Sequence, residues 1–231
     1  MKILVVIPAR GGSERLPGKN IRLLGGKPLI VWSIDVVRDV CAICDTLVST
    51  DHLEIAQIAK QAGALVPWMR PPELATNAAR SVDVAIHALN WYEITYGKVD
   101  GVLLLQPTSP FRSRKTVVEG IKLFKDNGFK PVLAISPTHI HPMWTFKLKN
   151  GYLSPFMREY SNFNCRSQDL PDAYIINGSF YLAHPQQLRK QESFIDETTI
   201  PLIIDSPKEA LDIDTEWDWR VAKCCIQDHI P

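Results

Sequence analysis

Unbroken apolar runs alternate along this chain with segments whose apolar residues recur every three or four positions. Residues 2–8 read as a buried strand. Ile30, Ile34, Val37 and Cys41 then stand at i, i+4, i+7 and i+11, one face of a helix. DTLVST (45–50) predicts a second strand, Ile55, Ile58, Ala59 and Ala62 a second helix, and ALVPW (64–68) a short strand. Val82, Ile86 and Leu89 predict the next helix, and GVLLLQ (101–106) a strand without polar alternation, as expected when both faces are covered. Val117, Ile121 and Phe124 then mark a helix and PVLAIS (131–136) a strand. This order predicts an α/β fold, a mostly parallel sheet with helices on both faces. Ligands of such sheets sit beyond the carboxyl ends of the strands.

The rhythm breaks after residue 137. Residues 138–175 alternate and turn, with Asn150-Gly151 as a hairpin signal, so they read as an antiparallel excursion. The pattern recovers at YIINGSFYLA (174–183). Thr215 opens a last helix, with Asp218 three residues on as a capping box and Trp219, Ala222 and Ile226 on its inner face. No repeat or linker divides the chain, so residues 1–231 are expected to form one domain carrying the excursion.

Composition narrows the function. A chain of 231 residues with 45% hydrophobic content can bury a full core, and a net charge of +1 argues against a general binder of nucleic acid. No apolar run approaches the ~18 residues of a membrane span. The start of the chain reads as a strand rather than a signal peptide. Of five cysteines, Cys41 and Cys44 form one C-x-x-C, without the second pair that a zinc site needs; incidental thiols in a reducing cytoplasm are expected. His139 and His141 flank Ile140 and read as strand or turn residues rather than a metal pair.

Three segments carry candidate chemistry. IPARGGSERLPGKN (7–20) follows the first strand, and residues 10–27 hold five basic side chains (Arg10, Arg15, Lys19, Arg22, Lys27) against one acid, Glu14. Small residues such as Gly11, Gly12, Ser13 and Gly18 let backbone N–H groups approach a ligand, and the cations add charge-assisted bonds to phosphate oxygens. A triphosphate fits, although neither the P-loop nor the G-x-G-x-x-G pattern matches. In LDIDTEWDW (211–219), Asp212 and Asp214 flank one isoleucine and point the same way if extended. Alone, this is a surface turn before a helix; beside a triphosphate loop it is a natural seat for Mg²⁺. LLQPTSPFR (104–112) ends the most buried strand and offers Gln106, Thr108 and Ser109 as neutral donors and acceptors.

Together with VSTD (48–51), MRPPELATNAARS (69–81) and RSQDLPDAYIINGSFYL (166–182), these segments resemble the acylneuraminate cytidylyltransferases, including bacterial relatives acting on legionaminic and pseudaminic acids. The resemblance runs through nearly the whole chain. It implies a Rossmann-like nucleotidyltransferase fold and a homodimer in which the excursion reaches the partner. It implies transfer of CMP from CTP to the anomeric C2 hydroxyl of a nine-carbon 2-keto acid sugar, with release of pyrophosphate. By this likeness Arg10, Ser13, Lys19 and Asn20, beside Gly11, Gly12 and Arg15, hold the CTP phosphates, and Arg70 and Ser81 contact the nucleotide. Gln106, Tyr181 and Phe194, with Thr108, Ser109 and Arg166, lie on the sugar side, although both aromatics suit a core equally well. Asp212 and Asp214 take Mg²⁺; Lys19, Arg10 and Asp212 are the catalytic candidates.

The chain departs from the family pattern at Glu14-Arg15, where lysine and glycine are common, and at Asn77, where aspartate is usual. Ser167 directly precedes QDLP in place of an arginine, and Trp144 stands where a lysine can occur. Two other readings keep the fold: a cytidylyltransferase for Kdo, suggested by RLPGK, and an inactive nucleotide-binding scaffold. Retention of Lys19, Asp212 and Asp214 speaks against the scaffold.

Overall fold

The computed structural model describes residues 1–138, 140–157 and 166–227, with Ser167 described by its backbone alone. His139 and residues 158–165 of the expected excursion, Cys165 among them, lie outside the described residues.

The first strand, β1 (Ile3–Pro8), shows why the run ILVVI carries no polar residue. Its side chains alternate between two apolar layers, Ile3, Val5 and Ile7 into one and Leu4 and Val6 into the other, all 0% exposed. A short hairpin, β2 (Leu23–Leu24) and β3 (Lys27–Pro28), leads into α1 (Leu29–Asp35), β4 (Ile43–Ser49) and α2 (Leu53–Gln61). Then follow α3 (Ser81–Tyr96), β5 (Gly101–Leu104), α4 (Arg114–Asp126) and β6 (Val132–Pro137). A second hairpin, β7 (Phe146–Lys149) and β8 (Tyr152–Pro155), precedes β9 (Tyr174–Ala183), α5 (Pro185–Gln191), β10 (Ile200–Ile203) and α6 (Glu216–Gln227).

The central sheet has the order β10-β6-β9-β5-β1-β4. β1 is parallel to β4 and β5, and β10 to β6, whereas β9 runs antiparallel between β5 and β6. Residues of α1, α2 and α4 pack on one face, and those of α3 and α5 on the other. The packing between α4 and β9 is close: a methyl group on Gly120 would lie 2.4 Å from the Phe180 ring. The chain leaves β1 towards β4 on one side, and β5 pairs on its other side. The crevice between the ends of β1 and β5 is therefore a switch point, where sheets of this kind bind ligands.

The hairpin expected at Asn150-Gly151 forms, with φ of 51° and 81° at its two turn residues, the left-handed pair that suits a two-residue turn. The last helix carries its capping box: Thr215 Oγ1 accepts from the Asp218 N–H (3.3 Å), and the Asp218 carboxylate accepts from the Thr215 N–H (2.7 Å).

Three expectations need correction. The first helix stops at Asp35, and the chain continues in tight turns that keep Val37 and Val40 buried but leave Cys41 exposed. ALVPW joins no strand; Leu65 makes a single parallel bridge to Leu47 before Pro67, which has no N–H to extend a ladder. The pattern also missed α5, which buries Leu188 as its one large apolar side chain, and β10, an edge strand that tolerates Pro201.

Candidate active site

A third apolar cluster assembles the site. Leu16 is the one buried side chain between Gly11 and Lys19, and Ile213 separates the two aspartates. Both pack with Leu24, Leu29, Phe111 and Trp219. Burying Leu16 and Ile213 in one cluster carries the basic loop and the LDID segment to the same place. Ile213 also donates its N–H to the Thr108 carbonyl (2.8 Å), which adds the segment after β5. Three stretches far apart in sequence thus meet at the carboxyl ends of β1 and β5.

They enclose a cavity of ≈ 460 Å³, lined by Arg10, Ser13, Arg15, Lys19, Asn20, Arg70, Ser81, Gln106, Thr108 and Asp214, together with Pro8, Glu14, Leu16, Leu74, Thr76, Asn77, Ala79, Val84 and Pro107. Lys19 Nζ lies 2.8 Å from Asp214 Oδ1 and donates to the Ile213 carbonyl at 3.0 Å; Arg15 reaches Asp214 Oδ2 at 3.4 Å. The Lys19 ammonium, with Arg15 and Arg10 nearby, holds the Asp214 carboxyl below the usual carboxylate range. Asn20 ties the loop to itself through the Arg10 carbonyl (3.0 Å).

Arg70 forms the opposite wall. It is buried, and its guanidinium donates to Ser49 Oγ (3.0 Å) and to the Ser49 carbonyl at the end of β4. Burial lowers its pKa to about 10, with Asp51 opposing the shift, so it stays a cation at neutral pH.

A second cavity, of ≈ 350 Å³, opens beside the first and shares Ser81 and Gln106 with it. Its lining is largely apolar, with Val82, Leu104, Tyr181, Phe194 and Ile195, and Arg80, Glu192 and Ser193 complete it. Tyr181 and Phe194 meet edge to face at 5.9 Å. Burial pushes the Tyr181 phenol up to about 12, and the Asp212 charge adds to that. The two aromatics line this cavity and also pack against the core of the α3 face.

Asp212 lines neither cavity; the Thr108 side chain and Tyr181 are near enough for their electrostatics to couple with its own. Its side chain stays open to solvent, but neighbouring atoms crowd it. That crowding and the charge of Asp214 raise its pKa, against the pull of Thr108 and Lys19. Ile213 is fully buried between the pair, which leaves both carboxylates on the outer side. Among the described residues no cluster of three or more His, Cys, Asp or Glu could hold a metal ion. Two carboxylates, one of them short of compensating charge, suit an ion that completes its shell with phosphate oxygens and water.

Several named residues stand elsewhere. Ser109 is fully buried beside Gly178 and lines neither cavity. Arg166 is exposed and borders neither cavity. Gly11 and Gly12 do not line the cavity either. The Gly11 N–H is committed to Asp51 Oδ1 (2.8 Å), and a methyl group on Gly11 would lie 2.8 Å from the His52 ring. Glycine at position 11 therefore serves loop packing rather than a free donor.

Sequence reading did not single out Asp51 and Asn77 as site residues, or Arg112. Buried Arg112 fixes the stretch after β5 by donating to the Gln106 carbonyl (3.0 Å) and the Ser179 carbonyl. Asp51 and Asn77 belong to VSTD and MRPPELATNAARS, so a signal was present; their partners were not readable from it.

Residues 4–153 match the model of the cytidylyltransferase family. The chain is 39% identical over 225 residues to the CMP-N,N'-diacetyllegionaminic acid synthase of Legionella pneumophila, covering 96% of this chain and 95% of that protein. It is 31% identical to the pseudaminic acid cytidylyltransferase of Campylobacter jejuni, with 96% and 95% covered. It is 32% identical to the N-acylneuraminate cytidylyltransferase of Escherichia coli, where 96% of this chain spans 51% of that protein. Among solved structures, a CMP:2-keto-3-deoxy-manno-octonic acid synthetase complexed with CTP superposes with a TM-score of 0.72 over all of both chains, at 17% identity, and shows a shared fold. The cationic cavity at the strand ends thus belongs to a chain whose relatives match it almost from end to end: it is a member of the cytidylyltransferase family, a nucleotidyltransferase of the acylneuraminate cytidylyltransferase type.

Proposed function

We propose that the protein transfers CMP from CTP to the C2 hydroxyl of a nine-carbon 2-keto acid sugar and releases pyrophosphate. The observation that carries this reading is the pair of adjoining cavities, one cationic and one largely apolar, joined at Ser81 and Gln106. The triphosphate would lie against Arg10, Ser13, Lys19 and Asn20, with Arg70 and Ser81 on the far wall. The acceptor would fill the second cavity, its acylamino groups on Tyr181 and Phe194. The hydroxyl oxygen then bonds to the α-phosphorus as the bond from that phosphorus to the β-phosphate oxygen breaks, and the hydroxyl proton passes to solvent water. Lys19 and Arg10 meet the charge that builds on the departing pyrophosphate. Asp212 and Asp214 would hold Mg²⁺, which would add positive charge against the phosphates and make the attacking hydroxyl more acidic.

The acceptor we favour is a diacylated, legionaminic-type sugar, because the Legionella relative carries the higher identity over nearly the full chain. A Kdo acceptor rests on the short RLPGK stretch and on likeness of fold at 17% identity.

A homodimer is part of the same proposal. Leu148, Tyr152 and Leu153 on the β7–β8 hairpin are each more than 70% exposed, and Tyr174, Ile175 and Ile176 at the start of β9 are also exposed. An apolar surface of this kind on a soluble enzyme calls for a partner, and a second copy of the chain fits. Among the described residues no helix is long and apolar enough to cross a membrane, and Cys41, Cys44, Cys224 and Cys225 are free thiols, which suits the cytoplasm.

The test is pyrophosphate release from CTP, with and without Mg²⁺, using N,N′-diacetyllegionaminate, N-acetylneuraminate, pseudaminate and Kdo as acceptors. Turnover is expected with a nonulosonate, the diacylated one foremost. Silence with all four, from folded protein that binds CTP, would overturn the activity.

A further inference from the structure

Most cations of the nucleotide cavity rest on fixed partners: Lys19 and Arg15 on Asp214, Arg70 on Ser49. Arg10 is held differently. Its guanidinium donates to Asn77 Oδ1, and the Asn77 amide donates in turn to Glu14 Oε1. The order is forced by chemistry. Guanidinium can only donate and an ionised carboxylate can only accept, so the amide oxygen must face Arg10 and its NH₂ must face Glu14. Both ends of this chain belong to the loop after β1, and its middle belongs to the opposite wall, between Arg70 and α3. The bridge therefore crosses the cavity that all three residues line. Glu14 is also the one acid among residues 10–27, and it is exposed.

We propose that Glu14 is an internal stand-in for phosphate. Through Asn77 it holds the anion loop to the opposite wall in the resting enzyme, and an incoming triphosphate must displace it. Phosphate oxygens take over the Arg10 N–H groups and the Asn77 NH₂, and the Glu14 carboxylate, already solvent-facing, turns outward. The same bridge reforms as pyrophosphate leaves. Glu14 thus weakens the hold on CTP and on pyrophosphate together, and favours release of a product that would otherwise cling to four cations. This inference rests on reading the cavity as a triphosphate site.

The experiment is calorimetric binding of CTP, and separately of inorganic pyrophosphate, to the full chain at low and at high salt. Glu14→Gln should tighten both by about fivefold at low salt, and by less as salt screens the exposed charges. Glu119→Gln, the same charge change at an exposed position on α4, should shift neither by more than about twofold. In an Asn77→Ala background the gain from Glu14→Gln should shrink below about twofold, because coupled residues are not additive. Unchanged or weaker binding in Glu14→Gln, an equal gain in Glu119→Gln, or full additivity with Asn77→Ala would overturn the proposal. Wild-type protein that bound neither CTP nor pyrophosphate would sink this proposal and the proposed function together; binding of both without transfer would sink only the activity.

Discussion

The two cavities are neighbours but are made differently. The nucleotide cavity is a charged shell on a rigid base, with Lys19, Asp214 and Arg70 held by short polar contacts and Leu16 and Ile213 buried beneath. The second cavity, proposed for the acceptor, is mostly surface taken from the core itself, with Val82, Leu104, Tyr181 and Phe194 continuing the packing on the α3 face. The first therefore suits a ligand defined by charge, which all CTP-using enzymes share. The second suits a ligand defined by shape, and shape is where members of such a family can diverge.

Substitutions can break that contrast. The largest effect is expected from Lys19→Ala, which removes the ammonium proposed to meet the leaving group and leaves Asp214 with Arg15 alone. The expected loss in kcat is about 100- to 1,000-fold in steady-state pyrophosphate release, with little change in acceptor KM. An intermediate effect is expected from Phe194→Ala. It should raise the acceptor KM at least about tenfold and leave the KM for CTP within about twofold, since even one methylene of apolar contact discriminates by about 1–3 kcal/mol. A CTP KM that rose in step would mean the two cavities are one energetic unit.

The smallest effect sharpens the comparison in the other direction. The Asp212 carboxyl titrates higher in the folded chain than in the unfolded one, so its ionisation at neutral pH opposes folding. Metal-free Asp212→Asn should therefore melt about 2 °C higher at pH 7. The gain should vanish as pH falls through the raised pKa, where wild-type Asp212 takes up its proton. A lower melting temperature at pH 7 would contradict the crowding described for this side chain.

The difference between the cavities also explains what the sequence made legible. Arg10, Lys19 and Asp214 could be named because strand ends, glycines and paired acids leave short local signatures. Tyr181 and Phe194 carry no such mark: an aromatic that lines a cavity and one that fills a core look alike until tertiary packing is known. Ser109 was misleading for the opposite reason, since a serine at a strand end reads as a donor even when the next strand covers it. Gly11 looked like a place for phosphate to approach, whereas the ring of His52, 41 residues on, is what occupies that space. In the fold, β1 and β5 declared themselves by unbroken apolar runs, but α5, with seven residues and one large buried apolar side chain, offered no period to detect.

The position of β9 bears on how the chain comes off the ribosome. β5 and β6 are complete by residue 137, yet they do not pair with each other; the strand that joins them spans residues 174–183. Until that stretch is synthesised, the nascent sheet has two open edges facing an empty slot between its first-made half and β6. Exposed edges of buried, apolar strands are the surfaces through which unfinished chains stick to one another. The strand that carries Tyr181 to the second cavity is thus also the one whose arrival fills that slot, so the step that covers those two edges also installs a wall of that cavity.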